Sequence, residues 1–428
     1  MNASHTNLDG DLAAAAGAVR ALRSTTAVRE RSGWLLARAR SGGSDAFAVD
    51  DSALAAAART VAELTRARFP TLKIPYHSRW RHFEAGQVNR RARLDEQLGL
   101  VSAAARARAQ IDLALVSVLL DAGAGAQWAY SEAGTAQRFT RSEGLGVASF
   151  HAFMAGLFSS DPRQPLQVDA AGLAALTAER LGEAFQVDEG NPLVGLDGRA
   201  EVLRRLGAAM AARPEVFGPS GRPGGLFDAL LRPARAHLGA NSHERCTISA
   251  HTILVLLLDT LSSIWPAHNA IGGHALGDCW PLPALPGEGL TAGWMPFHKL
   301  SQWLTYSLLE PFEWAGVGVT GLDALTGLPE YRNGGLLIDA GVLRPLPEGW
   351  ATRSWQAGDA FIVEWRALTV ALLDELAPLV RAELGLSAEQ MPLACVLEGG
   401  TWAAGRLLAQ RLRNGLPPLG IASDGTVF

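Results

Sequence analysis

Lysine is almost missing: of the 38 basic residues in 428, only Lys73 and Lys299 are lysine, and the rest are arginine. Where nearly every cation is a guanidinium, a retained ammonium marks a place that suits a compact three-donor charge better than a planar fork. Neither lysine follows a glycine, which excludes a phosphate-binding G-x-x-x-x-G-K loop. Cysteine is scarce too. Cys246, Cys279 and Cys395 are odd in number and far apart, which argues against a disulfide framework and fits a reducing compartment. No charge of one sign dominates: 38 basic against 42 acidic residues leave a net −4, too weak a field to draw in a polyanion, so nucleic acid is not an expected partner. No apolar run reaches a bilayer span. The most apolar stretch, 246–258, sits between Arg245 and Asp259 and holds His251, so it reads as a buried helix and no membrane partner is expected. The opening MNASHTNLDGDLAAAAG lacks a positive n-region, so the expected location is cytoplasmic. A G-x-S-x-G nucleophile elbow is absent.

What is present is helical periodicity. With 48% hydrophobic and 19% charged residues the chain has a globular composition, long enough for roughly three domains or one lobe with insertions. Apolar stripes at helical spacing cover about 50–69, 95–121, 169–185, 199–212, 246–264, 297–310, 359–385 and 401–413, with Pro378 expected to kink or end one of them. Strand signals are short, as at Leu336–Ile338 and Ala394–Leu397, and never alternate regularly with helices. The expectation is a mainly α, compact multi-helix fold with few short strands. An N-terminal helical region (1–140) would precede a main helical region (141–428) carrying the site, the two able to form one continuous domain.

Two motifs tempt and fail. Residues 316–321 read GVGVTG with Asp339 about 20 residues on, but a dinucleotide fingerprint needs a strand before it and a helix after it. Here a helical pattern precedes, and Gly327 and Pro329 cut short any helix beyond it. His243-x-x-Cys246, with His268, His274 and Cys279 downstream, matches no specific ligand spacing. No metal and no cofactor are therefore expected.

Two segments carry chemistry. HSRWRHFEAG (77–86) sets Arg79, Trp80 and His82 close together, cations beside aromatic faces that suit a ligand with a planar group and an anion; the bland alternative is a loop that anchors Trp80 and Phe83 in the core while its arginines meet solvent. In 296–314 a helix would put Lys299, Gln302, Trp303, Tyr306 and Glu310 on one face and Leu300, Leu304 and Leu308 on another. Further on, Glu330-Tyr331-Arg332 adds a carboxylate, a phenol and a guanidinium. Brought together with Lys299, these would suit a sugar phosphate, with cations for the phosphate and the carboxylate for hydroxyls or developing positive charge. The bland alternative is an Arg332 ion pair with Glu310 or Glu330 that ties a loop to a helix.

HSRWRHFEAG, RSEGLGVASFHAFM (141–154), NPLVGLDGR (191–199), FHKLSQWLTYSLLEP (297–311), LTGLPEYRNGGLLIDAGVL (325–343) and the terminal SDGTVF (423–428) together resemble the uracil-catabolism family of the fungal and bacterial URC ring-opening pathway, a domain of unknown function. The resemblance covers most of the chain. It implies a step after uracil nucleotide formation and ring opening, where a ribosyl-urea phosphate is split to urea and sugar phosphate. A second, shorter resemblance is to the queuosine 5'-phosphate N-glycosylases, through Lys299-x-x-Gln302, Glu330-Tyr331-Arg332 and Gly341-Val342-Leu343. It implies a helical, DNA-glycosylase-like fold with Lys299 and Glu330 as the essential pair and Tyr331 and Arg332 shaping the site. Glu stands at 330 where those enzymes have Asp.

The expectation is thus a hydrolase that breaks a ribosyl N-glycosidic bond, acting on a small-molecule ribosyl phosphate or related nucleotide. Glu330 serves C1', Lys299 the phosphate or a ribose hydroxyl, Arg332 and Arg79 alternate for the anion, and Trp303 or Trp80 covers the planar leaving group. Gln302, Tyr306 and His82 are further substrate-binding candidates, with Glu143 and Asp339 as second-line carboxylates. A Schiff base on Lys299 would need that amine neutral in a desolvated pocket. Two alternatives stand beside it: a non-catalytic sugar-phosphate sensor or scaffold using the same pocket, and a uracil phosphoribosyltransferase, which expects a parallel sheet.

Overall fold

The computed structural model describes residues 3–238, 246–265 and 269–422. Helices dominate, and strands pair only two at a time among the described residues. The fold is mainly α. No sheet of the kind a phosphoribosyltransferase expects is present there, and no helix is long and apolar enough to cross a membrane.

The chain divides into two compact units. Of the described residues, the first takes 3–77, 269–302 and 322–422; the second takes 78–238, 246–265 and 303–321. The first is organised around the Ala360–Leu384 helix, mostly apolar and buried on every side over Phe361–Leu373, with Phe361, Val363, Trp365, Leu368 and Leu372 among the buried side chains. A helix that is apolar all round needs cover all round. The Thr25–Arg40 and Leu54–Arg68 helices supply much of it. Full burial of each such side chain is worth about 1.5–3 kcal/mol, and the contacts hold the helix through Pro378, which does not end it; it stops at Gly385, whose φ of 70° suits glycine.

Elsewhere in this unit the Trp402–Arg413 helix lies against the Tyr331–Asp339 helix so closely that a Cβ on Gly405 would fall 2.0 Å from the Arg332 carbonyl oxygen. Gly405→Ala is therefore expected to cost about 1–3 kcal/mol by overpacking, read as a lower urea midpoint. An unchanged midpoint would mean that the two helices separate freely.

In the second unit the Ala103–Leu119 and Arg141–Met154 helices pack together, and the Leu196–Ala211 and Gly225–Leu238 helices each pack against the former. Trp80 is buried with its indole N–H on the Ser307 carbonyl (2.9 Å), edge-on to Phe83 and Trp314. Trp80 and Phe83 are buried on a short Trp80–Phe83 helix rather than a loop, and Arg79 is buried with them instead of meeting solvent.

Several expected elements change. Leu336–Ile338 and Ala394–Leu397 are helical, because a short apolar run has no readable period and suits a helix equally. The 95–121 run breaks into Arg90–Leu98 and Ala103–Leu119, separated by Gly99 (φ 65°) and restarted by Ser102, whose side chain accepts from the Ala105 N–H. The 169–185 run becomes Ala170–Ala174 and Ala178–Ala184. In 246–264, Thr247–Ser249 forms a strand parallel to Gly318–Thr320 before the helix begins. That second strand lies inside GVGVTG and leads into a 3-10 turn at Leu322–Ala324, so the dinucleotide context is absent.

Candidate active site

Of the two lysines, Lys73 is exposed and Lys299 half-buried. Lys299 opens the Lys299–Trp314 helix. Its backbone N–H donates to Asp278 Oδ2 (2.9 Å), so Asp278 satisfies one of the donors that a helix start leaves unpaired. Asp278 also accepts from Nη1 and Nη2 of the fully buried Arg366 (2.8 Å each) and from the Trp280 indole N–H (2.7 Å), while Arg366 stacks 4.0 Å over Phe297. Burial alone would raise the Asp278 carboxyl, but Arg366 and these donors hold it far below the usual carboxylate range. Just before the lysine, His298 adopts φ 51°, a left-handed conformation that a non-glycine residue rarely takes. Its Nε2 donates to the Leu22 carbonyl (3.0 Å), and its backbone N–H to the Asp278 carbonyl (3.1 Å).

Glu330 is the N-cap of the Tyr331–Asp339 helix, and both its oxygens are occupied: Oε2 accepts from the Arg332 N–H (2.7 Å) and Oε1 from the Asn333 N–H (2.6 Å). Glutamate is not among the preferred caps. A residue that breaks a local preference and is held this firmly is a functional candidate. Each oxygen keeps a second lone pair for a water or a hydroxyl. Burial pushes the carboxyl above the usual carboxylate range, against the pull of the two N–H groups and the charges of Lys299 and His77. The same burial, with Glu330 beside it, pushes the Tyr331 phenol up to about 12, so Tyr331 stays a neutral donor. The Thr326 N–H donates to Gln302 Oε1 (3.0 Å) and Gln302 Nε2 to the Thr326 hydroxyl (2.5 Å), so the buried Gln302 clamps the loop that leads to Glu330.

A third part of this cluster was not read from the sequence. His77 Nδ1 lies 2.8 Å from Glu398 Oε2, both residues buried. Glu398 stands in a π-helical turn, Leu397–Thr401, and takes Arg68 Nη2 at 2.9 Å; Arg68 Nη1 donates to the Glu398 and Gly399 carbonyls. Gly400 makes the approach possible, since a Cβ there would lie 2.5 Å from the Val61 carbonyl of the helix that carries Arg68. Burial disfavours charge on Glu398, yet His77 and Arg68 hold its carboxyl below the usual range. The Trp402 ring lies 6.3 Å from that of His77. Single-turn π segments recur at functional sites. Gly399-Gly400, between the apolar segments 394–397 and 401–413, is a signal in the sequence that could have pointed here.

The sequence candidates therefore divide. Lys299, Gln302, Glu330, Tyr331, Arg332 and Asp339 belong to the first unit. Arg332 donates to the Gly415 carbonyl (3.3 Å), and Asp339 takes Arg413 at 2.5 Å as a helix-to-helix tie. Arg79, Trp80, His82, Glu143, Trp303 and Tyr306 belong to the second. There Arg79 is wholly buried, donating from Nε to Ser117 Oγ (2.6 Å) and from Nη1 to the Ser142 carbonyl (3.2 Å), with Asp121 at 3.3 Å and the Trp303 ring 5.6 Å away. Burial lowers its proton affinity, against the charges of Asp121 and Glu143. His82 meets Trp303 edge-on at 5.7 Å, and Tyr306 is fully buried. Glu310 is tied to Arg81 (2.7 Å) and Ser78 (2.5 Å), and burial pushes it up to about 7. No group of three or more His, Cys, Asp or Glu side chains able to hold a metal is found among the described residues; His243, His268 and the terminal SDGTVF lie outside them.

This chain belongs to the family described as "Protein of unknown function (DUF1688)", which residues 21–428 match. Among its relatives, Protein urg3 of Schizosaccharomyces pombe is 41% identical over 410 residues, covering 94% of this chain and 96% of that protein. Uracil catabolism protein 4 of Lachancea kluyveri is 39% identical over 383 residues, covering 83% and 85%. The second name agrees with the uracil-catabolism resemblance carried by the sequence motifs.

Proposed function

We propose that this protein acts in uracil catabolism as a hydrolase of a ribosyl N-glycosidic bond, converting ribosyl-urea 5'-phosphate and water to urea and ribose 5-phosphate. The first half rests on the names of the relatives. The second rests on one observation above all: a carboxylate, Glu330, pinned by two backbone N–H groups, made more basic by burial and facing the charge of Lys299. Cleavage at C1' passes through an oxocarbenium-like state, which a fixed carboxylate stabilises while it orients and deprotonates the attacking water. Lys299 receives the phosphate or a ribose hydroxyl.

Urea release from synthetic ribosyl-urea 5'-phosphate by the purified full chain tests the reading. The wild type is expected to turn over, and Lys299→Ala to lose about 100-fold in kcat/KM, the worth of one charge-assisted hydrogen bond of about 1.5–3 kcal/mol. Tight binding without turnover would replace the enzyme with a ligand sensor.

A further inference from the structure

Resting on the glycosidase reading, we infer that Arg29 is a positioning residue for Glu330: its guanidinium holds the loop that ends at that carboxylate. Arg29 lies on the Thr25–Arg40 helix. Its Nη1 donates to the Ala324 carbonyl (3.2 Å) and its Nη2 to the Leu325 carbonyl (2.7 Å), while Nε donates to Asp374 Oδ2 (2.8 Å) on the Ala360–Leu384 helix. One planar fork thus spans three acceptors, which a lysine ammonium on a flexible stem does not reproduce.

The next residue, Thr326, is the one that Gln302 clamps by its N–H and hydroxyl. Beyond it a Cβ on Gly327 would fall 2.7 Å from Leu373 Cδ1, so the chain runs hard against the Ala360–Leu384 helix. The Leu328 carbonyl then accepts from the Glu330 N–H and from Asn333 Nδ2 (3.0 Å each). From Ala324 to Glu330 the loop is therefore fixed by side chains of three helices, those of Arg29, Gln302 and Asn333. Arg29 touches no reacting atom in this reading and acts through the backbone. A base serves its water only when its place is held to about 0.5 Å, and a displacement of about 1 Å costs on the order of 100-fold in rate.

Two variants of the full chain separate the clamp from the ion pair. Arg29→Lys keeps a cation beside Asp374 but loses the fork; Asp374→Asn keeps both carbonyl bonds and an acceptor for Nε. On ribosyl-urea 5'-phosphate, Arg29→Lys is expected to lose about 100-fold in kcat with KM within about twofold of the wild type. Asp374→Asn is expected to stay within about threefold in both. Amide hydrogen exchange adds a readout that needs no turnover: in Arg29→Lys, residues 326–333 should exchange about tenfold faster while the Ala360–Leu384 helix is unchanged. If Arg29→Lys does not fold, Arg29→Gln carries the same comparison. Full activity in Arg29→Lys, or exchange that quickens in both segments alike, would make Arg29 a structural residue and overturn the assignment while the glycosidase reading stands. A wild type inert toward ribosyl urea, or a Glu330→Gln variant that keeps its rate, would remove that reading and this inference with it.

Discussion

Replacing Glu330 with glutamine is expected to lower kcat for urea release about a thousandfold, within the 10²–10⁴ that a positioned base contributes. The substitution keeps the shape of the side chain but removes the charge and one acceptor oxygen. One of the two cap N–H groups, from Arg332 or Asn333, then loses its partner, at a stability cost of about 1 kcal/mol. Activity and stability should therefore separate, with little change in the urea midpoint beside a large kinetic loss. The pH profile gives a second readout. The base works only when ionised, so kcat/KM should fall as pH drops through its pKa, and because burial raises that pKa the acid limb should lie above the usual carboxylate range. Glu330→Gln should lack this limb. A variant that keeps its rate and its limb would place the base elsewhere.

The second large effect is on stability. Asp278→Asn removes the carboxylate charge that takes two nitrogens of the fully buried Arg366, and breaking such a buried pair costs about 3–5 kcal/mol. Against a total of about 5–15 kcal/mol for a folded domain, much of the margin goes, and urea denaturation should show it. The double variant Asp278→Asn/Arg366→Met should recover most of the loss, since no charge is then stranded. The same pair fixes an acid limit. Asp278 binds its proton less tightly folded than unfolded, so its contribution is complete above the unfolded value of about 3.9 and disappears only as pH falls toward the depressed folded one. A fold that loses this contribution at mildly acidic pH would contradict the assigned pairing. Because Asp278 also caps the Lys299 helix, activity should fall further than stability alone explains.

Much of the mainly helical fold was legible because its longer helices keep one apolar stripe. Two errors fell where the apolar run was too short to show a period, at Leu336–Ile338 and Ala394–Leu397. Lys299 stood out by the rarity of lysine, and Glu330 by its place in a short polar triplet between Pro329 and a glycine pair. Gln302 was legible as a polar residue on the right helix but not as a clamp, since its partner Thr326 lies 24 residues away. His77 and Glu398 are separated by 321 residues, and Asp278 and Arg366 by 88. No local pattern announces such pairs; they exist only once the apolar helices have brought the segments together.

The wide turn at Leu397–Thr401 bears on how this chain can vary in length. A π segment holds one residue more than the same stretch of α-helix, and each residue of an α-helix turns it by about 100°. Deleting any residue there would leave a regular helix, swing Glu398 away from His77 or rotate Trp402–Arg413 so that a side chain replaces Gly405 against Arg332. The segment is thus a place where the number of residues is constrained as well as their identity: the spacing from Glu398 to Gly405 is itself a part of the candidate site.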